Sequence, residues 1–468
     1  MTARKKPLLG LCPIGKFVFS HADAVAHKRA LQDFLRRRAV DFVDLEGVLE
    51  DGMVRDQSHV GPAVEHLKAR GVDALFLPHC NFGTEGAAAM IARRLAVPTL
   101  LWGPRDEAPL PDGTRLRDTL CGLLATSKVL HKLGVPFTYV ENCRLGEPAL
   151  AEGLDTFLRA AHAANALRRG MRIGHIGQRI DFFWTTIVNE SQLLERFNVE
   201  VRPIDMTEFI AAARARAQAE EPRYRQEAGD LRRQWTIEHF DDDQPLMNIL
   251  AVRDEMLAAA RRHDLDALAV QDFDSLVAAM GAYCFLANSF VGDVLPVACE
   301  SDIHGAVTAV LCHRACLAQA PVFLTDLTIR HPTDDNAVLL WHAGAPLALR
   351  HDRARVRLGK HWILPTPLAG MPHFRLREGP ITVARFDGDR DEYRLAVGQG
   401  RSTDGPDTQN NYVWMRTDHW PRWERALMEG PFIHHVAMVY EHVAAALVEA
   451  CKYVPGLEAL RLDRPPQT

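Results

Sequence analysis

No stretch of this sequence is apolar over the roughly 18 residues that a membrane-spanning helix needs, which argues against a membrane protein. Low-complexity segments and long repeats are absent as well. There is no excess of positive charge. The 55 lysines and arginines stand against 60 acids, a formal net charge of -5, which argues against a general nucleic-acid or membrane-surface binder. The basic start Met1-Thr2-Ala3-Arg4-Lys5-Lys6 is followed by only a short apolar stretch and lacks a secretory cleavage pattern, so no leader is expected. An even cysteine set is missing too. The nine cysteines are an odd number, and most lie in apolar stretches, as Cys12, Cys299 and Cys451 do. They read as buried, reduced thiols of a cytoplasmic protein rather than a disulfide framework. Cys312 and Cys316 lack the two further ligands that a zinc site requires and read as core.

The 468 residues are too many for one core, so two or three domains are expected. Short apolar strands alternate with helical patterns from the start. Leu8 to Cys12, Val72 to Leu77 and Val97 to Leu101 read as strands, and Ser20 as the cap of a helix carrying Ala24, Leu31, Phe34 and Leu35. This rhythm predicts a parallel sheet with helices on both faces over residues 1–168. It restarts at Met171, and buried strands at 266–270 and 295–299 complete a second α/β domain over 169–318. From about Pro321 strand-like runs such as Ala337 to Trp341 and Ile381 to Phe386 are separated by Gly, Pro and Asp turns. A third, mainly antiparallel β domain over 319–468 is expected, with a late helix from Val436 to Cys451. The fold class is thus α/β: two doubly wound parallel-sheet domains followed by a mainly antiparallel C-terminal domain.

The chemistry concentrates at strand ends. Val297-Ala298-Cys299-Glu300-Ser301-Asp302 ends a buried strand just before a helical pattern, where ligands sit in open α/β sheets. Two carboxylates there repel each other unless a cation or proton is shared. The plain alternative is that Asp302 caps the helix and Glu300 is a first-turn acid. Gln271-Asp272-Phe273-Asp274 follows another strand at the same sheet edge, so Asp274 and Glu300 are expected to face one another. Such a pair suits an oxygen-preferring cation and proton transfer from two sides. Histidines arrive from the third domain: His331, His342 and the pair His434-His435, the last placed just before the late helix. An imidazole beside two carboxylates fits Mn2+ or a similar ion.

The order Phe273-Asp274, Cys299-Glu300-Ser301-Asp302, Phe323-Leu324-Thr325-Asp326-Leu327-Thr328 before His331, and His434-His435 resembles the L-fucose isomerase and L-arabinose isomerase superfamily. The resemblance spans all three domains. It implies an aldose–ketose isomerase using Mn2+, or Co2+ or Mg2+ in its place. The implied metal set is Asp274, Glu300 or Asp302, and His435, with His331 added. Asp272 stands in reserve, because position 274 holds an aspartate where the family offers glutamate. Asp274, Glu300 and Asp302 are the implied proton carriers of a cis-enediol mechanism. Lys16, Asn81, Gln271, His342 and His434 are the implied contacts to a monosaccharide, and Arg179, Arg330 and Arg416 are candidates to pair with an anionic substituent on it. By the same resemblance the chain forms a homo-oligomer, a trimer, tetramer or hexamer, whose first domain covers the site of a neighbour.

Three rival readings exist. Gly10-Leu11-Cys12-Pro13-Ile14-Gly15-Lys16 has the spacing of a phosphate-binding loop, but Phe17 stands where a Mg2+-holding Ser or Thr belongs, and Pro13 removes a backbone donor. A catalytically silent sugar-binding protein has no need of the acids and His435. A metal-enolate aldolase or epimerase would use the same site.

Overall fold

A computed structural model describes residues 6–464 except 362, 364–366 and 390. The chain divides into two compact units, Met1–Asn165 and Ala166–Thr468. The first is a parallel sheet of β1 (Leu9–Leu11), β2 (Phe42–Val43), β3 (Ala74–Pro78), β4 (Thr99–Trp102) and β5 (Thr138–Tyr139), in the order β2-β1-β3-β4-β5. Its central strands are buried on both faces, as their unbroken apolar sequences require. Ser20 caps the helix His21–Arg37 by accepting the Asp23 N–H at 3.3 Å.

The second unit continues with β6 (Met171–Ile176), β7 (Val199–Ile204), β8 (Thr236–Ile237), β9 (Ala267–Val270) and β10 (Val297–Ala298). Four of these form a parallel sheet in the order β10-β9-β6-β7. The remaining strands are β11 (Phe323–Arg330), β12 (Ala337–His342), β13 (Arg357–Lys360), β14 (Ala369–Arg375), β15 (Pro380–Asp389), β16 (Glu392–Thr403), β17 (Asn411–Arg416), β18 (His435–Val439) and β19 (Leu457–Arg461). They join β8 in a mainly antiparallel sheet ordered β19-β16-β15-β18-β11-β12-β17-β14-β13-β8. The α/β class with two parallel sheets and a mainly antiparallel C-terminal sheet is therefore observed as expected. Among the described residues no helix is long and apolar enough to cross a membrane, and all nine cysteines are free thiols.

The helix Ile303–Ala315 packs on β9 and β10 of the parallel sheet and on β15 and β18 of the antiparallel one. A helix between two sheets has no solvent face, which is why it is apolar nearly all round, with eleven of its residues buried from Ile303 to Ala315. It ties the two sheets together and starts at the Glu300–Asp302 turn.

One expected element is corrected. The helix predicted over Val436–Cys451 is strand β18 followed by a shorter helix, Ala444–Cys451. Val436-Ala437-Met438-Val439 lies between β11 and β15 with every residue buried. A central strand buried on both faces loses its period-two alternation and reads like a buried helix. The consequence for function is large, because His435 belongs to a sheet and not to a helix entry.

Gly370 in β14 shows how tightly the sheet meets the segment behind the site. Its φ is +119°, and a Cβ there would lie 2.0 Å from the Tyr283 carbonyl oxygen, while the Tyr283 N–H donates to Ala369 O at 2.8 Å. Gly370→Ala is expected to destabilise the chain by at least about 2 kcal/mol. An unchanged urea midpoint would show that this contact yields freely.

Candidate active site

The turn after β10 is strained. Glu300 and Ser301, neither a glycine, both take left-handed conformations, with φ of 60° and 57°. Each such residue costs roughly 1–2 kcal/mol. The turn is held from several sides. The Glu300 N–H donates to Asp272 Oδ2 at 3.2 Å, the Ser301 N–H donates to Val270 O at 2.9 Å, and Ser301 Oγ donates to Gln178 O at 2.9 Å. Asp302 caps the following helix, accepting the Gly305 N–H at 2.8 Å. The strain turns the Glu300 side chain toward the antiparallel sheet.

Three neighbouring strands of that sheet supply its partners. In the antiparallel pairing of β11 with β18, Asp326 stands directly opposite His435. His342 ends β12, on the other side of β11. His435 Nε2 lies 3.2 Å from Glu300 Oε2 and 3.6 Å from Asp326 Oδ1. His342 Nε2 lies 3.5 Å from Glu300 Oε1 and 4.0 Å from Asp326 Oδ1. His434, just before β18, is exposed, and one of its ring nitrogens falls with atoms of Asp326 and His435 in a set lying within 4.8 Å of one another. Phe183 presents a wall, its ring 6.4 Å from that of His435 in an edge-on arrangement.

The charges in this cluster are interdependent. Burial alone would raise the Glu300 pKa, but hydrogen bonds and charge from His342 and His435 hold it at about 2. Asp326 goes the other way, because burial outweighs its histidine neighbours and raises it. Burial works against the charged form of His435, yet Asp302 and Glu300 win and lift it to about 9. His342 is likewise raised well above its ordinary value, against burial, by Cys299, Asp326 and Glu300. Two buried atoms that face one another, Asp326 Oδ1 and His435 Nε2, make no well-aligned hydrogen bond, and the 3.2 Å approach of Nε2 to Glu300 Oε2 is an ion-pair contact. Once His435 gives up its Nε2 proton, a carboxylate oxygen and an imidazole nitrogen beside a second, ionised carboxylate make a donor set of the kind that can hold a divalent cation.

The residues singled out in the sequence divide between this cluster and other places. Glu300, His342, His434 and His435 come together. Asp302 lies directly behind His435, with His435 Nδ1 2.9 Å from Asp302 Oδ2. Asp274 does not face Glu300: it is exposed, with φ of 48°, before the short helix Ser275–Met280. The acid beside Glu300 is Asp272, fully buried and held by Asn288 Nδ2 at 3.0 Å. Burial lifts its pKa to about 7. Gln271 is buried, with Nε2 3.5 Å from Asp274 Oδ2. His331 follows the far end of β11, roughly 15 Å along the strand from Asp326. Its Nδ1 accepts the N–H groups of Thr333 and Asp334, both at 3.2 Å, and its ring meets Trp414 edge-on. Lys16 and Asn81 belong to the first unit. There Asn81 Oδ1 accepts the Lys16 N–H at 2.8 Å, and Lys16 Nζ sits 3.3 Å from Glu85. Arg179 donates to the carbonyls of Ile180, Asp181 and Phe183, while Arg330 and Arg416 pair with Glu424 and Asp334. Asp326 joins this cluster although the sequence candidates do not include it. Its signal is an acid inside an otherwise apolar and threonine-bearing strand, Phe323 to Thr328, which lends it a side chain pointing inward.

Comparison with known proteins agrees with this architecture. The family model described as fucose/sulfoquinovose isomerase, N-terminal domain, matches residues 10–168, and the model described as L-fucose isomerase, C-terminal domain, matches residues 370–456. Together they take in more than half of the chain. The chain belongs to the fucose isomerase-like superfamily. Within it, a sulfoquinovose isomerase of Alkalicoccus urumqiensis is 26% identical over 382 residues, 81% of this chain and 83% of that one. Sulfoquinovose isomerases of Priestia aryabhattai and Priestia megaterium are each 24% identical over 443 residues, 93% of this chain and 95% of theirs. As a superfamily member the chain is a sugar isomerase, an enzyme and not a silent binder. Of the clustered side chains, only His434 and His435 fall inside a matched segment. Glu300, Asp326 and His342 lie in the stretch between the two.

The raised pKa of His435 makes a prediction about the metal-free chain. A histidine whose folded pKa of about 9 exceeds its ordinary 6.5 contributes stability that is fully present below about pH 6.5 and lost as pH rises through about 9. The melting temperature of the metal-free chain should fall across that window, and His435→Gln should flatten the decline. Parallel profiles for the two proteins would show that His435 is not charged in the folded state.

Proposed function

We propose that the chain interconverts an aldose and its ketose with a divalent cation, Mn2+ in the first instance, held by Glu300, Asp326 and His435. The observation that carries this reading is the convergence of Asp326 Oδ1 and His435 Nε2, two buried atoms 3.6 Å apart without a well-aligned hydrogen bond, beside Glu300. Two oxygens and one imidazole nitrogen suit Mn2+, with Co2+ and Mg2+ as substitutes. His434 stands within reach as a further donor or as a contact to the sugar.

Isomerisation removes a proton from the carbon beside the carbonyl and returns it to the neighbouring carbon through a cis-enediol. When bound, the cation supplies Lewis-acid polarisation of the sugar oxygens and makes that proton easier to remove. Asp326 is the base that carries the proton between the two carbons. Burial raises its pKa, and a carboxylate with one oxygen on a cation keeps the other for the proton. Glu300, held ionised by two histidines, anchors the cation. His342, between Glu300 and Asp326, holds a proton at Nε2 that can pass to a substrate oxygen as charge develops there. Phe183 gives the His435 side of the cluster an apolar wall, its ring edge-on to the imidazole.

The relatives' activity makes sulfoquinovose the first sugar to test, followed by L-fucose, L-arabinose and D-arabinose. Reduced thiols support a cytoplasmic location. Exposed apolar side chains, Phe182 and Trp184 at 68% and 76%, support assembly into a homo-oligomer.

The test is a sugar panel assayed with Mn2+ and after chelation. Aldose–ketose exchange on one sugar, lost on chelation and restored by Mn2+, is expected. No exchange on any sugar in either state would remove the reading. Asp326→Asn should lower kcat by about 10²–10⁴-fold with the fold intact by circular dichroism. A variant with full activity would assign the proton transfer elsewhere.

A further inference from the structure

His435 enters the site on β18, but its ring is aimed from behind. Asp302 is fully buried, and both of its oxygens accept from the guanidinium of Arg385. A carboxylate that takes both prongs of a guanidinium is an acceptor, so His435 Nδ1 is the donor in the 2.9 Å contact with Asp302 Oδ2. The other ring nitrogen, Nε2, is thereby turned toward Glu300 and Asp326.

Both Asp302 oxygens are fully engaged. Oδ1 accepts from the Gly305 N–H at 2.8 Å and from Arg385 Nη2 at 3.2 Å. Oδ2 accepts from Arg385 Nη1 and His435 Nδ1. Arg385, only 1% exposed, sits on β15 beside β18. It is itself fixed, because its Nε donates to Asp387 Oδ2 at 2.8 Å, and Asp387 Oδ1 lies 3.0 Å from His304 Nδ1. A metal ligand needs a lone pair free to face the ion, and Asp302 has none on the side of Glu300. The His435 ring stands between them.

We propose that Asp302 is a positioning residue rather than a ligand: with Arg385 as its fixed counter-ion, it locks the His435 ring so that Nε2 faces the cation held by Glu300 and Asp326. This rests on the metal-dependent reading above. Carboxylates behind ligating histidines fix both ring orientation and tautomer, and their loss lowers metal affinity by about 10–100-fold.

The experiment measures Mn2+ binding to the full chain by calorimetry and electron paramagnetic resonance, in wild type, Asp302→Asn, Arg385→Lys and the double variant. Asp302→Asn should weaken binding by about 10–100-fold. Arg385→Lys, which keeps the buried charge, should weaken it less, and the double variant should match Asp302→Asn alone. The imidazole-nitrogen coupling to Mn2+ should diminish in Asp302→Asn. The inference is overturned if Arg385→Lys binds as wild type does, or if Asp302→Asn abolishes binding as Glu300→Gln does while residual Mn2+ keeps the full nitrogen coupling. Wild-type protein that binds no Mn2+ would instead remove the metal reading. Positioning is then decided by the 15N signals of His435, identified by their absence in His435→Gln and recorded at the high-pH plateau where the ring is neutral. A protonated Nδ1 that is lost in Asp302→Asn supports the lock. Signals unchanged by the substitution refute it.

Discussion

The antiparallel pairing of β11 with β18 sets Asp326 and His435 opposite one another, and the candidate site depends on that register. A slip of one residue would turn both side chains to the other face of the sheet. The register is pinned by the buried sequence of both strands, Phe323, Leu324 and Thr325 against Val436, Ala437 and Met438. These residues pack on the helix Ile303–Ala315 through β18. That helix begins at the turn bearing Glu300, so one packing arrangement holds both halves of the site together.

The cluster concentrates charge where little water reaches. Glu300, Asp326, His342 and His435 share a few ångströms of largely buried space; mutual contact displaces the pKa values of Glu300, His342 and His435 against burial, whereas burial raises Asp326. Left-handed conformations at Glu300 and Ser301 add backbone strain at the same place. Local strain together with unsatisfied polar atoms is what a protein tolerates where function demands a geometry that stability alone would not select.

Much of this is legible in the sequence. The βα rhythm, the restart at Met171 and the β-rich last third follow from local periodicity, and the apolar run ending at Cys299 by itself puts Glu300 at a strand crest. The rest depends on long-range pairing. Whether Asp272 or Asp274 approaches Glu300 turns on which residue is the last before the chain bends away, and the left-handed bend at Asp274 carries that side chain to solvent. His331 and Asp326 share one stretch of chain, but only the sheet register tells which of them lies opposite His435. The burial of β18 on both faces hides its strand character. The capping and functional readings of Asp302 look like alternatives in the sequence, whereas its carboxylate caps the helix and contacts His435 at once.

Membership of the fucose isomerase-like superfamily gives the reaction class, and the geometry gives the account its central claim: that Glu300, Asp326 and His435 bind the cation. Anomalous diffraction at the manganese edge from a crystal soaked in Mn2+ tests this most directly. The account predicts one strong peak within bonding distance of Glu300, Asp326 Oδ1 and His435 Nε2. A peak ligated by Asp302 or Asp274 in place of Asp326, or no peak in this cluster from an active crystal, would contradict it.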